Sequence, residues 1–277
     1  MRGGMRAAVA AVALGLSILA SASVLAAEEG DAPLQSLVTA DDTKGWEAVG
    51  RLNLGNSGFC TGTLIAPHLV LTAAHCLYDK ATGQVFAAAD LEFLAGWRNG
   101  RAAAYRGVRR AIQHPNYIYE GRDKIDRVSF DLAVVELDQP IRLPSIRPFQ
   151  TGSDAQDGET VGVVSYALER SEAPSMQNAC KVLGHQPGIL VMSCDVDFGS
   201  SGSPVFAVRD GEAKIVSVVS AKAELDEKLV ALGTALEGPF ADLMAAVESG
   251  APSTVPMHPR KLGKVSAGAS GAKFLRP

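Results

Sequence analysis

The sequence predicts an all-β protein, a barrel or sandwich built in two similar halves. Twelve short apolar runs lie between Trp46 and about Gly250, and Gly, Pro, Asn and Asp punctuate them. A connector rich in proline (Pro140, Pro144, Pro148) leaves six runs on each side. Short β-rich runs at such spacing, with turn residues between them, are the pattern of antiparallel β architectures.

The elements follow in order. Residues 1–27 read as a secretory signal peptide: Arg2 and Arg6 form a basic n-region, and an Ala-rich apolar run ends in small residues, with cleavage expected after Ala26 or Ala27. A retained membrane anchor is the rival reading, but an Ala-rich run at the lower limit of a span argues for cleavage. Residues 28–45 form the N-terminal segment of the mature chain. The first half, 46–145, carries strands at 47–54, 58–65, 69–72, 91–95, 105–113 and 132–137, with a short helix at 73–77. The second half, 146–250, carries strands at 160–167, 181–183, 189–194, 203–208, 214–221 and 229–234. It ends in a helix over 239–248, where Phe240, Leu243, Met244 and Val247 make one apolar stripe expected to lie on the second half. Residues 251–277 have little to bury and read as a disordered basic tail.

Charge narrows the partners. The signal and the tail hold seven basic residues and no acid, which leaves the body 19 basic against 30 acidic residues. A body carrying −11 argues against nucleic acid as a natural partner. After signal cleavage no remaining run is expected to insert stably in a membrane, and the body is expected to be a monomer. The cysteine count is even, and in an exported chain that points to disulfides. The two local pairings are Cys60 with Cys76 and Cys180 with Cys194. Each closes a loop worth about 3 kcal/mol by chain entropy.

Three strings carry chemistry: Leu71-Thr72-Ala73-Ala74-His75-Cys76, Phe130-Asp131-Leu132-Ala133, and Gly199-Ser200-Ser201-Gly202-Ser203-Pro204. A serine hydroxyl needs a neighbouring base to take its proton, and imidazole titrates in the right range. The imidazole needs a carboxylate to hold its tautomer. An Asp opening an apolar strand places such a carboxylate at a barrel rim. A tetrahedral intermediate needs backbone N–H donors, expected from Gly199 and Ser201, and losing one donor costs about 3 kcal/mol. Taken singly, His75 reads as a packed histidine, Asp131 as a strand cap and Ser201 as a turn residue. Cys60, His75 and Cys76 also read as metal ligands, but adjacent His-Cys is poor zinc geometry and export favours a bridge. No metal or cofactor is expected.

Together the strings resemble the trypsin-like (chymotrypsin-fold) serine peptidase family, in its chain order of His, Asp and Ser. The loop Gly199–Pro204 is similar to that of the glutamyl-endopeptidase-like bacterial branch, and Ile112-Gln113-His114-Pro115-Asn116-Tyr117 resembles a surface segment of the family. The resemblance runs from about Ala48 to Val247. It implies two six-stranded antiparallel β-barrels with a C-terminal helix, and a bridge from Cys60 to Cys76 behind the histidine. It implies a secreted serine endopeptidase, periplasmic or extracellular, acting on protein or peptide through a Ser201 acyl-enzyme. His75 would be the general base and Asp131 its orienting acid. The alternative is a peptidase-like binding protein with little turnover. A tail that tethers the body to an acidic surface is a further one.

Two departures stand out. Ser200 occupies the place where trypsin has an aspartate that pairs with a new amino terminus, so activation is expected not to use that switch. Asp195 lies six residues before Ser201, at the spacing of trypsin's acidic pocket residue, and would favour Lys or Arg. But Cys194 lies seven before Ser201, where trypsin's nearest cysteine is four before. Ser217-Val218-Val219 is the expected far wall, with Val219 narrowing the entrance. A glutamate-preferring pocket lacks an evident histidine or cation near Ser217. The residue preferred at the cut is therefore left open.

Overall fold

The structure is a computed structural model that describes Met1 and residues 31–119, 124–225 and 227–257, with backbone alone at 124–126. The expected signal peptide beyond Met1, and the basic residues of the expected tail, lie outside the described residues. The chain divides into two compact units, Met1–Gly30 and Asp31–Pro277. Both sheets belong to the second.

The first sheet is a closed six-stranded barrel. Its strands are β2 (Val49–Leu54), β3 (Phe59–Ala66), β4 (Leu69–Thr72), β5 (Leu91–Ala95), β6 (Ala104–Gln113) and β7 (Ala133–Leu137), paired around the ring as β2-β3-β4-β7-β6-β5. β4 and β7 are buried along their whole length, which explains why all their residues but Thr72 and Glu136 are apolar. Gly50 permits closure, since a Cβ there would meet Leu94 O and the Phe93 ring at 2.5–2.6 Å.

The second sheet has seven strands: β1 (Gln35–Ser36), β8 (Thr160–Ala167), β9 (Arg170–Gln186), β10 (Ile189–Met192), β11 (Pro204–Arg209), β12 (Glu212–Leu225) and β13 (Lys228–Ala235). Their order is β1-β9-β10-β13-β12-β11-β8, and β8 pairs again with β9. Six strands thus form a ring of pairings, with β1 added at the outside of β9. Buried apolar residues form two cores. The first gathers Leu52, Leu64, Phe93 and Val135 of the barrel and also takes in Phe206, Ile215 and Val218 of the second sheet. The other gathers Val163, Leu190, Val205 and Val216 of the second sheet. Trp46 stacks on Phe149, and the Phe206 ring meets both at steep angles, with centroids 4.6–5.6 Å apart.

Several elements differ from expectation. β9 spans 17 residues where only 181–183 read as strand. Pro174 interrupts its polar first half, but this position only accepts, from Leu37 N at 2.8 Å, so its missing donor costs nothing in the ladder. The short helix is a 3₁₀ turn at Ala74–Leu77. Helix α1 (Lys124–Ser129) was too short to show a period. Helix α2 (Pro239–Glu248) forms as expected, yet it packs on the first barrel rather than the second. Leu243 and Val247 join that barrel's core, and Arg110 Nη2 on β6 donates to Val247 O at 3.2 Å. The expected disorder from 251 does not hold for 251–257. Thr254 N donates to Ala111 O, Thr254 Oγ1 accepts from Gln113 N, and Val255 is wholly buried.

Candidate active site

The 3₁₀ turn that follows β4 carries His75, and the residue pair ahead of β7 carries Asp131. β4 and β7 are neighbours in the barrel, with Thr72 opposite Ala133, so closure of the sheet brings the two residues together. His75 Nδ1 lies 2.6 Å from Asp131 Oδ2, and His75 N donates to Asp131 Oδ1 at 2.8 Å. Ser220 Oγ, on β12 of the second sheet, donates to Asp131 Oδ2 at 2.5 Å. Burial pushes the Asp131 carboxyl up. The facing imidazole and the bonds from His75 and Ser220 outweigh it and hold Asp131 below the ordinary carboxylate range. With its Nδ1–H on that carboxylate, a neutral His75 presents Nε2 as an acceptor.

Ser201 stands in a tight loop between β10 and β11. Gly199 (φ +98°) and Gly202 (φ +81°) take left-handed backbone that a side chain would strain. A Cβ on Gly202 would also overlap Thr61 O and Thr72 Oγ1. Thr61 of β3 clamps this loop. Its N–H donates to Ser201 O at 2.8 Å, and its Oγ1 donates to Gly199 O at 2.9 Å and accepts from Tyr166 N at 3.0 Å. The N–H groups of Ser200, Gly202 and Ser203 are spent inside the loop or on β12. Among the described residues, those of Gly199 and Ser201 have no acceptor. Ser200 is buried and accepts from Asp197 N and from Arg170 Nη2, which lies 3.4 Å away.

Two cavities meet at Ser201 and His75, one of about 420 Å³ and one of about 410 Å³. The first is lined by Asp197, Phe198, Val219, Ser220, Ala221 and Lys222. Arg127 and Val128 of α1 line it as well, as does Lys80. The second runs beside Phe59, Phe86, Leu168 and the Cys60–Cys76 bridge. Phe198 divides the two, with Lys80 Nζ 5.4 Å and Lys222 Nζ 5.1 Å from its ring centre.

Of the residues expected at a specificity pocket, only Val219 reaches the first cavity. Asp195 is exposed, and its N–H donates to Gln177 Oε1 at 2.7 Å. Ser217 is wholly buried, and its hydroxyl donates to Thr234 O. Ser220, Ala221 and Lys222, at and just past a bulge in β12 between Val219 and Ala221, line the cavity with Val219 instead. Sequence reasoning therefore missed Ser220, Thr61, Phe198 and the cations Lys80, Arg127 and Lys222. Cys60 and Cys76 are joined in a disulfide, as are Cys180 and Cys194. Cys60, His75 and Cys76 place their ligand atoms within 4.8 Å of one another. A bridged pair of sulfurs offers no thiolate, so this group does not make a zinc site.

Comparison with known proteins agrees with this geometry. A family model described as Trypsin matches residues 39–231. A glutamyl endopeptidase of Bacillus licheniformis is 27% identical over 150 residues, covering 54% of this chain and 45% of that protein. A trypsin of Simulium vittatum is 27% identical over 188 residues, covering 58% of this chain and 69% of that protein. The chain spans less than half the length of the Bacillus relative. A solved structure of a Glu endopeptidase in complex with MPD superposes with a TM-score of 0.65 at 20% identity, covering 79% of this chain and 98% of that one. That likeness supports the chymotrypsin-like fold. With the family model matched across most of both sheets, the chain belongs to the trypsin family.

Proposed function

We propose that this protein is an exported serine endopeptidase that hydrolyses peptide bonds through an acyl-enzyme on Ser201. The observation that carries the reading is the His75–Asp131 pair, 2.6 Å apart, opening onto the cavities that Ser201 also lines. Ser201 Oγ attacks the carbonyl carbon while His75 Nε2 takes its proton. Asp131 holds the imidazole in that tautomer and stabilises the charge it gains. The uncommitted N–H groups of Gly199 and Ser201 receive the developing oxyanion. His75 then passes its proton to the leaving amine, which departs as the carbon–nitrogen bond breaks. Water attacks the ester, again losing its proton to His75, and the acid leaves as Ser201 is restored.

The side chain ahead of the cut is proposed to be acidic. Lys80 and Arg127 line the first cavity and make no ion pair among the described residues, while Asp131 is engaged by His75, and Lys222 and Asp197 pair with each other at 2.8 Å. The similarity to an enzyme described as a glutamyl endopeptidase points the same way. Export is supported by the basic and apolar start of the chain and by the two disulfides.

A fluorophosphonate tests the chemistry. It should label the wild type and fail to label Ser201→Ala; an unlabelled, well-folded wild type overturns the reading. Cleavage of a mixed peptide library should then occur after Glu or Asp. Cleavage after Lys or Arg would overturn the acidic preference.

A further inference from the structure

Beside the Cys60–Cys76 bridge stands the imidazole of His75, and the ligand atoms of the three residues lie within 4.8 Å of one another. Opening the bridge turns this cluster into two thiols and an imidazole. Cys76 Sγ is 3.9 Å from His75 Nε2. Zinc holds sulfur at about 2.3 Å and imidazole nitrogen at about 2.0 Å, so a tetrahedral ion sets the two about 3.5 Å apart. Neighbouring positions in the chain are no obstacle at that spacing. The two cysteine Cα atoms are 6.2 Å apart, toward the wide end of the range that bridged cysteines span, which leaves the freed sulfurs room to part.

The imidazole is held as a metal-bound one is held. His75 Nδ1 faces Asp131 Oδ2 at 2.6 Å, and Ser220 Oγ donates to the same oxygen. A carboxylate on the far nitrogen is what fixes the tautomer and ring of a zinc-bound histidine. With Nδ1 so engaged, Nε2 offers its lone pair. Cys60, His75 and Cys76 line the second cavity together with Ser201, which gives an ion a way in and a water its fourth position. The backbone here has holds besides the bridge. β3 pairs with β2 and β4, Cys76 N donates to Ala73 O, and His75 N donates to Asp131 Oδ1.

We propose that the protein with this bridge reduced binds one zinc ion through Cys60 Sγ, Cys76 Sγ and His75 Nε2, and that the ion silences Ser201. A dithiol reductant opens the bridge by two exchanges. Its first sulfur joins one cysteine as the other cysteine is released. Its second sulfur then displaces that cysteine, and the reductant leaves as a cyclic disulfide. Two electrons and two protons end on Cys60 and Cys76, and zinc displaces both protons. The Nε2 lone pair that would take the Ser201 proton is then bound to the metal. Oxidation by a partner disulfide runs the exchange backwards, passes the electrons to the partner and discharges the ion. A chain still reduced, as before export to an oxidising compartment, is thereby held inactive, and formation of the bridge frees it. The silencing rests on His75 being the general base; the metal site does not.

The test reduces the full chain with a water-soluble phosphine, which ends as its oxide with oxygen taken from water. Cobalt(II), the probe ion, should give a sulfur-to-metal charge-transfer band in the reduced chain and none in the oxidised one. Zinc should abolish that band. In the reduced chain zinc should also slow fluorophosphonate labelling of Ser201 by about a hundredfold or more, as loss of a general base does, and a chelator should restore it. The oxidised chain should label at the same rate with zinc or without. His75→Gln should weaken cobalt binding by about tenfold or more. No band in the reduced chain, or a band of equal affinity in His75→Gln, overturns the metal site. If reduction unfolds the chain, zinc should restore its circular dichroism, and failure to do so overturns the site as well. Zinc bound with labelling unchanged overturns the silencing. If the oxidised wild type is never labelled while the reduced chain gives the His75-dependent band, the metal site stands and the catalytic reading falls.

Discussion

Ser220 reaches across from the second sheet to give its hydroxyl proton to Asp131 of the first barrel, 89 residues earlier in the chain, at 2.5 Å. The bond ties the strand that walls the substrate cavity to the acid that orients His75. Ser220→Ala removes one charge-assisted donor from a carboxylate that keeps both bonds from His75. The expected result is a fall of about tenfold in kcat/KM, the lower end of what such a bond is worth. Fluorophosphonate labelling should slow in parallel. An unchanged rate would show that the His75 bonds suffice to place Asp131.

Arg170 supports the Ser201 loop from beneath. Its Nη1 donates to Ser165 O and Oγ at 3.0 Å, and its Nη2 lies 3.4 Å from Ser200 Oγ. Ser200 itself donates to Tyr166 O. Among the described residues, the loop is thus braced by groups within the second sheet. Arg170→Ala should lower stability by about 1–3 kcal/mol, because Ser165 and Ser200 lose a buried partner. It should slow labelling of Ser201 as well. By contrast, a chain carrying extra residues ahead of Glu28 should be labelled as fast as one starting there. Strict dependence on a new terminus would show that the brace is not enough.

The three candidate strings were legible because each is local: a few adjacent residues mark His75, Asp131 and Ser201. The strands were legible for the same reason, since an apolar run bounded by turn residues is a property of neighbours. What escaped acts at a distance. Thr61 meets Gly199 and Tyr166 over more than a hundred residues, and Ser220 meets Asp131 over 89. Counting along the chain placed the pocket wall at Ser217-Val218-Val219, whereas the cavity is lined by Val219, Ser220, Ala221 and Lys222. The stripe on α2 showed that one face would be buried. It carried no sign of which barrel would bury it, and Arg110 and Val247 settle that in favour of the first.

Glu136 makes stability depend on pH. It sits on β7, nearly buried, between the guanidinium groups of Arg109 and Arg110. Burial pushes its carboxyl up, but the bonds and charges of Arg110 and Arg109 prevail and set it below its ordinary value of 4.5. The folded chain therefore holds this proton less tightly than the unfolded chain. The stabilisation is complete above the unfolded value and is lost as pH falls through the lower, folded one. Glu136→Gln should be less stable than wild type at pH 7 by about 1–2 kcal/mol. The gap in urea midpoints should shrink steadily below about pH 4.5. A gap of the same size at pH 3 would show that lost packing, not charge, accounts for the difference.

Thr61 offers the sharpest separation of fold from activity. Its hydroxyl is buried and fully used, donating to Gly199 O and accepting from Tyr166 N. Its backbone holds Ser201 O and receives Thr72 Oγ1. Valine has nearly the same shape, so Thr61→Val leaves the barrel packing intact and removes only the hydroxyl bonds. Two buried backbone groups then lack partners, at a cost of about 1–3 kcal/mol. Part of that strain falls on the peptide that presents Gly199 N–H to the cavity. The variant should therefore lose about tenfold or more in kcat, with KM changed less, since the ground-state contacts of the substrate are untouched. Thr61→Ser, which keeps the hydroxyl, should recover most of the rate. If valine and serine are equally active, the clamp does not set the Gly199 donor, and the loop holds its shape through Gly202 and Ser203 alone.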